Sequence, residues 1–245
     1  MSGRNGPVPI QGTKRRALLT ALLSGANRVV TVDELTEWLW PGKTPSSATQ
    51  VIQAHVSVLR RQLEPDRPPR SPPRMLLTQP PGYLMRIKTD QLDSLRFALL
   101  VQSGTQAMQQ KDIVTAVELL QEALSLWQGE ALCGVRHLPA AQSEIARLEE
   151  LRLTATGLYM DACLNMGQYD EAIPQLSRLV VLYPYHERFY AQLMVALARS
   201  GRRAEALSVY RKAHSVLTND LAVSPGSELR RLEAAILADE LELGF

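Results

Sequence analysis

Aromatic residues make up only 5% of this 245-residue chain, and cysteine occurs twice. Cys133 and Cys163 stand 30 positions apart with no CxxC spacing, which excludes a disulfide framework or a cysteine-rich zinc site and leaves two packed thiols. No apolar run approaches the roughly 20 residues of a membrane span. The opening MSGRNGPVPIQGTKRR holds no apolar stretch for a secretion signal, so a cytoplasmic location is expected. Catalytic patterns are missing too. His55, His137, His186 and His214 are isolated, and neither HExxH, GxSxG nor a Cys-His pattern occurs. Gly42-Lys43-Thr44 matches the end of a phosphate-binding loop, but the place of that motif's first glycine is taken by Glu37, inside a helical stretch. Glu149 and Glu150 are adjacent and diverge on a helix, which suits a solvated face. The expectation is a protein that is not an enzyme and needs neither cofactor nor metal.

What is present is a charge asymmetry. The net charge is +2, but residues 1–88 carry 13 Lys/Arg against 5 Asp/Glu, and residues 89–245 carry 14 against 20. A basic segment joined to a mildly acidic one fits a polyanion-binding module attached to a part that stays off the polyanion.

The basic half reads as three helices and a hairpin. From Thr13, TKRRALLTALLSGA puts Leu18, Leu19, Leu22 and Leu23 on one stripe, with Gly25 and Asn27 as a stop. Thr31 followed by Glu34 has the form of a capping box for a second helix, with Leu35, Trp38 and Leu39 inward and Pro41-Gly42 ending it. Ser46 then caps a third helix in which Ala48, Ile52, Val56, Leu59 and Leu63 recur at helical spacing. Its other face carries Thr49, Gln50, Gln53, Ala54, Ser57, Arg60 and Arg61, with no acid between Glu37 and Glu64. A helix in the DNA major groove needs amides for base edges, short side chains for close approach and cations for phosphates. Gln50 and Gln53 meet the first need, Ala54 and Ser57 the second, Arg60 and Arg61 the third, with Lys14 a further phosphate contact. Val58, outside the apolar stripe, suits a thymine methyl or a packing neighbour. After the proline-rich EPDRPPRSPPR, the stretches 75–78 and 83–87 flank Pro-Pro-Gly, which is hairpin chemistry, with Thr78 and Gln79 at the tip.

The acidic half repeats. Aligning Gly167 with Gly201 gives a period of 34 that superposes Met160 on Met194, Ala162 on Ala196, Glu171 on Glu205 and Ala172 on Ala206. That is the tetratricopeptide length. A weaker copy, KDIVTAVELLQEAL, places Ala116 56 residues before Ala172, so about 22 residues are inserted. The stretches 140–164 and 227–240 are expected to cap the stack. Such arrays bury one continuous core and offer a concave face for proteins.

The stretches RALLTALLSGANRVVTVDELTEWLW, QAHVSVLRRQL, LLTQPPGYLMRI and VSPGSELRRLEAAIL resemble the Streptomyces antibiotic regulatory protein family. Its members join an OmpR-type winged helix-turn-helix to a bacterial transcriptional activation domain. The resemblance covers essentially the whole chain. It implies a mainly α fold: a DNA-binding domain over 1–90 with a small β-hairpin wing, then TPR-like helical repeats over 91–245. It implies base reading by Gln50, Gln53, Ala54, Ser57, Val58 and Arg60, with His55 near a phosphate. It further implies binding to direct repeats in promoters of biosynthetic genes, as two protomers on one DNA face, and recruitment of RNA polymerase holoenzyme with its sigma factor. Gly42, Lys43 and Thr44, projecting between the second and third helices, are the expected polymerase contact. The expected setting is the nucleoid, away from membranes. One departure is the N-terminus, where only GPVPIQG serves for the small sheet usual in the family. No seat for ATP-driven regulation is expected after Phe245. The rival reading is a repeat-type adaptor whose basic half docks an acidic partner.

Overall fold

A computed structural model describes residues 2–3, 6–7, 10–68 and 70–240 of the chain. These divide into two compact units, Met1–Phe97 with Leu126–Leu151, and Ala98–Ser125 with Arg152–Phe245.

In the first unit, β1 (Ser2–Gly3) pairs antiparallel with β2 (Gly6–Pro7). Of GPVPIQG, Val8 and Pro9 lie outside the described residues. Helix α1 (Thr13–Ser24) buries Ala17, Leu18, Leu19, Ala21 and Leu22. The chain then turns at Asn27, whose positive φ of 64° suits asparagine. Its side chain both donates to and accepts from the Ile87 backbone at 3.0 Å, which ties the end of α1 to the end of the hairpin. Strand β3 (Val29–Thr31) follows, a short element not expected from the sequence, where only Thr31 has a role, as the cap of the next helix. Helix α2 (Val32–Leu39) has the expected capping box: the Glu34 N–H donates to Thr31 Oγ1 at 3.1 Å, and Glu34 Oε2 accepts from the Thr31 N–H at 2.7 Å. That backbone bond, with Arg28 alongside, holds the Glu34 carboxyl below its usual range. Helix α3 (Ala48–Leu63) starts with Ser47, not Ser46, at its cap, and no side chain bonds there. Strands β4 (Leu76–Gln79) and β5 (Gly82–Met85) form the hairpin, and β3 adds to the far side of β5, giving the order β3-β5-β4. Gly82 is obligatory: a Cβ there would stand 1.9 Å from the Val30 carbonyl oxygen. The core gathers Leu18, Leu22, Leu35, Ile52, Val56, Leu59, Leu76 and Met85.

The second unit is a stack of helix pairs. Helices α4 (Asp93–Gln109) and α5 (Ile113–Ser125) approach closely where Gly104 faces Leu120. Next come α6 (Gln142–Asn165) with α7 (Tyr169–Leu182), and α8 (Glu187–Arg199) with α9 (Arg203–Leu221). Ala172 and Ala206, aligned by the 34-residue period, are both buried, as are Ala162 and Ala196. Helix α10 (Ser227–Ala238) packs on α8 and α9, and its cap residue Gly226 donates its N–H to Glu187 Oε2 at 2.6 Å. The stretch 227–240 therefore closes the stack as expected. The stretch 140–164 does not act as a cap: its part up to Leu151 belongs to the first unit, and beyond it Met160 and Leu164 of α6 share a core with Ala172, Ile173 and Leu176 of α7.

The units do not follow a single cut at residue 90. The segment Leu126–Leu151, which contains the expected insertion, folds with the first unit. Ala131, Val135, Ala141, Ile145 and Leu148 close around Trp38, Trp127 and Leu138. Trp38 faces this cluster and the winged core at once.

Candidate nucleic-acid interface

Helix α3 is held by one stripe and presents another. Ala48, Ile52, Val56 and Leu59 are buried, each at 5% exposure or less. Burial of the larger three supplies about 1.5–3 kcal/mol apiece, enough to fix the helix's rotation about its axis. Thr49, Gln50, Gln53, Ala54, Ser57 and Arg61 are then left exposed, while His55, Val58 and Arg60 are half-buried at the margins. The Ser57 hydroxyl bonds the Gln53 carbonyl at 2.9 Å, within the helix. The face carries no carboxylate. Glu64, the first acid after it, turns away: its Oε1 accepts the N–H groups of Arg74 and Met75 at 2.8 and 2.7 Å and closes the proline-rich loop onto the hairpin.

The two edges of this face have different neighbours. Residues five apart lie about 140° apart around a helix, which sends Arg60 to one edge and His55 to the other. Arg60 Nε–H donates to the Leu76 carbonyl at 2.9 Å, and Nη2–H donates to Thr78 Oγ1 at 2.7 Å. It is thus a strut between α3 and the hairpin, with burial lowering its pKa and part of its donor fork spent internally. Thr78 and Gln79 are exposed at the end of β4 beside that strut. On the other edge, burial pushes the His55 pKa down, and the nearby charges of Arg15 and Lys14 lower it further. Lys14 is exposed, its ammonium 4.4 Å from the centre of the Trp40 ring in a cation-π contact.

Between α2 and α3, Gly42, Lys43 and Thr44 are exposed in a loop where Gly42 takes a φ of 100°. The structure thus brings together Lys14, the α3 set and the hairpin tip on one unit, with the loop residues beside them in sequence. Three features of this region have no counterpart among the sequence expectations: Arg15, Glu64's anchoring role and strand β3. The signal for Arg15 was present in the run Lys14-Arg15-Arg16; those for the other two were not local. Among the described residues no cluster of His, Cys, Asp and Glu fits a metal, and no helix is long and apolar enough to cross a membrane.

Comparison with known proteins bears on the family and the fold. Residues 9–85 match the family model described as transcriptional regulatory protein, C terminal, and residues 92–237 match the bacterial transcriptional activator domain. The chain is 34% identical to the regulatory protein DnrI of Streptomyces peucetius, covering 91% of this chain and 84% of that protein. It is 37% identical to the transcriptional regulator RedD of Streptomyces coelicolor, covering 94% and 66%. Against the regulatory protein AfsR of the same organism, identity is 36% over 96% of this chain but only 23% of AfsR, so the chain spans about a quarter of that relative. A solved structure of Mycobacterium tuberculosis EmbR, in complex with a low-affinity phosphopeptide, superposes with a TM-score of 0.91 at 32% identity, over 96% of this chain and 62% of that one. A winged helix-turn-helix followed by this activator domain, with relatives at such identity over nearly the whole length, places the chain in the Streptomyces antibiotic regulatory protein family.

Proposed function

We propose that this protein is a sequence-specific DNA-binding transcriptional activator of secondary-metabolite biosynthesis genes, acting in the cytoplasm on the nucleoid and catalysing no reaction. The observation that carries the reading is the exposed, acid-free face of α3, rotationally fixed by its buried stripe and braced to the hairpin by Arg60. In this reading α3 enters the major groove, Gln50 and Gln53 meet base edges, and Thr49, Ala54, Ser57 and Val58 allow close approach. Arg61, Lys14 and His55 lie toward phosphates, and Thr78 and Gln79 follow the backbone beside the groove. Arg60 sets the wing's position and keeps its remaining donors for the duplex. Two protomers occupy direct repeats in a promoter, and the activator domain together with Gly42, Lys43 and Thr44 engages RNA polymerase holoenzyme and its sigma factor. The boundary between DNA-binding and activating functions falls near residue 90, between the two matched family regions.

Gel shifts on fragments of the promoters flanking its gene test the reading. Affinity should fall steeply with salt and exceed that for random duplex by about a thousandfold or more. Equal affinity for all duplexes would reject sequence-specific regulation. Replacing Lys43 and Thr44 with alanine should lower transcription in a reconstituted assay while leaving promoter affinity unchanged. Parallel loss of both would reject the loop's assignment.

A further inference from the structure

We propose that the second unit carries a twofold self-association surface, an apolar patch that pairs with the same patch on a second copy of this chain. The inference goes beyond the DNA-binding reading and does not depend on it. Helices α7 and α9 both pack antiparallel on α8, so their C-terminal ends lie at the same end of the stack, where the chain turns into α8 and α10. Val181, Leu182, Tyr183 and Tyr185 stand at the first of these corners, Leu221 and Val223 at the second. The Tyr185 hydroxyl donates to Asp220 Oδ2 at 3.4 Å and joins the two corners. The six apolar side chains are 38–66% exposed. The other large apolar residues exposed among the described residues, Leu99, Val114, Met166 and Leu237, are spread over α4, α5, the α6–α7 turn and α10.

The fold does not require these side chains. Val180 and Leu217 already bury the inner sides of the two helix ends, and the Tyr190 hydroxyl donates to the Val180 carbonyl at 3.3 Å. Half-exposed, the six side chains present on the order of 500 Å² of apolar surface, the size at which a contiguous patch marks an interaction site. Across two copies this amounts to about 1,000 Å², the lower limit for a specific interface, so pairing is weak and depends on concentration. Charge selects the occupant. Exposed Arg178 stands one turn before Leu182 on the α7 side of the patch, and exposed Asp220 stands on the α9 side. A twofold axis through the patch lays the α7 corner of each copy over the α9 corner of the other. Each Arg178 then faces the other copy's Asp220, and two complementary pairs form at once. Occupants of direct repeats are related by translation, so this twofold contact is separate from their adjacency on DNA.

Sedimentation equilibrium of the full chain without DNA, from about 1 to 100 µM, tests the surface. Low salt is used so that exposed pairs are least screened. The mass should rise toward two copies and stop there. Leu182→Arg should move the midpoint at least about tenfold higher in concentration and melt as the parent does, since the side chain is exposed and a cation suits a helix C-terminus. Arg178→Glu and Asp220→Arg should each weaken pairing, and an equimolar mixture of the two should restore it. In the mixed dimer one pair is Glu with Arg and the other Arg with Asp. A parent that stays monomeric throughout overturns the surface, as does parental pairing by a folded Leu182→Arg protein. If that variant does not fold, the charge variants decide. Single charge variants that pair as the parent does, or a mixture that fails to restore pairing, overturn the twofold arrangement.

Discussion

His55 and Arg60 show how neighbours redirect a side chain's chemistry. His55, brought in by the resemblance and not by spacing, stands half-buried at the margin of α3's exposed face, where burial and the α1 cations hold its pKa below the ordinary 6.5. Near that pH the unfolded chain binds more protons at this site than the folded chain does. The site's contribution to stability is therefore complete above the unfolded value and declines as pH falls through it, levelling only below the folded pKa. Urea titrations from pH 8 to 5 should show this loss, and His55→Gln should flatten it. DNA should act with the opposite sign: phosphate beside the imidazole favours its charged form, so promoter affinity should rise on acidification in the parent and less so in His55→Gln. Arg60, expected at a base or phosphate, spends two donor groups on the hairpin. Arg60→Ala should lower stability by about 1–2 kcal/mol, readable in thermal melts. No change would mean that the wing is held by its strands alone.

At the scale of elements, the three helix pairs of the second unit turn by one device. In α4, α6 and α8 the chain leaves the helix through a left-handed residue, Lys111, Gly167 and Gly201, with φ of 61°, 74° and 75°. The hydrogen bonds repeat as well. Lys111, Gly167 and Gly201 donate to Met108, Leu164 and Ala198, and the following Asp112, Gln168 and Arg202 donate to Ala107, Cys163 and Leu197. This is the Schellman pattern, which satisfies the last carbonyls of each helix. Two glycines made the 34-residue period visible in the sequence; the lysine at the corresponding place obscured the earlier copy, although its backbone does the same thing. Lys111→Gly should therefore stabilise the protein by about 0.5–1 kcal/mol, while Gly167→Ala and Gly201→Ala should each cost about 1 kcal/mol. Calorimetry of the three variants checks both signs. A destabilised Lys111→Gly would mean that the lysine side chain has a role its exposure does not suggest.

At the scale of the molecule, a chain that reads as two consecutive modules interleaves them. The insertion in the first repeat is not a loop on the repeat array: Leu126–Leu151 completes the first unit around Trp38 and Trp127, the latter meeting Phe97 edge-on at 5.5 Å. A fragment ending near residue 90 would leave one side of Trp38 bare. Trp38→Ala in the full chain should cost about 3 kcal/mol. The same substitution in a fragment 1–97 should cost clearly less, as compared by chemical denaturation. Equal costs would show that the segment contributes nothing to the winged unit's stability.

Local order was legible without coordinates: the Thr31–Glu34 box, the Ala48–Leu63 stripe with its acid-free reverse, the Pro-Pro-Gly hairpin and the 34-residue period all act within a turn or a repeat, where residue type and spacing decide the outcome. Three things were settled only when distant segments met. Val29–Thr31 became a strand because β5 offered an unpaired edge and Gly82 let the backbones approach. Arg60 turned to the hairpin because the Leu76 carbonyl and the Thr78 hydroxyl came within its reach. Residues 126–151 joined the first unit because the apolar surface around Trp38 was there to be covered. Such outcomes depend on which unpaired backbone groups and uncovered apolar surfaces remain after the local elements form, and neither is written in the spacing of any one segment.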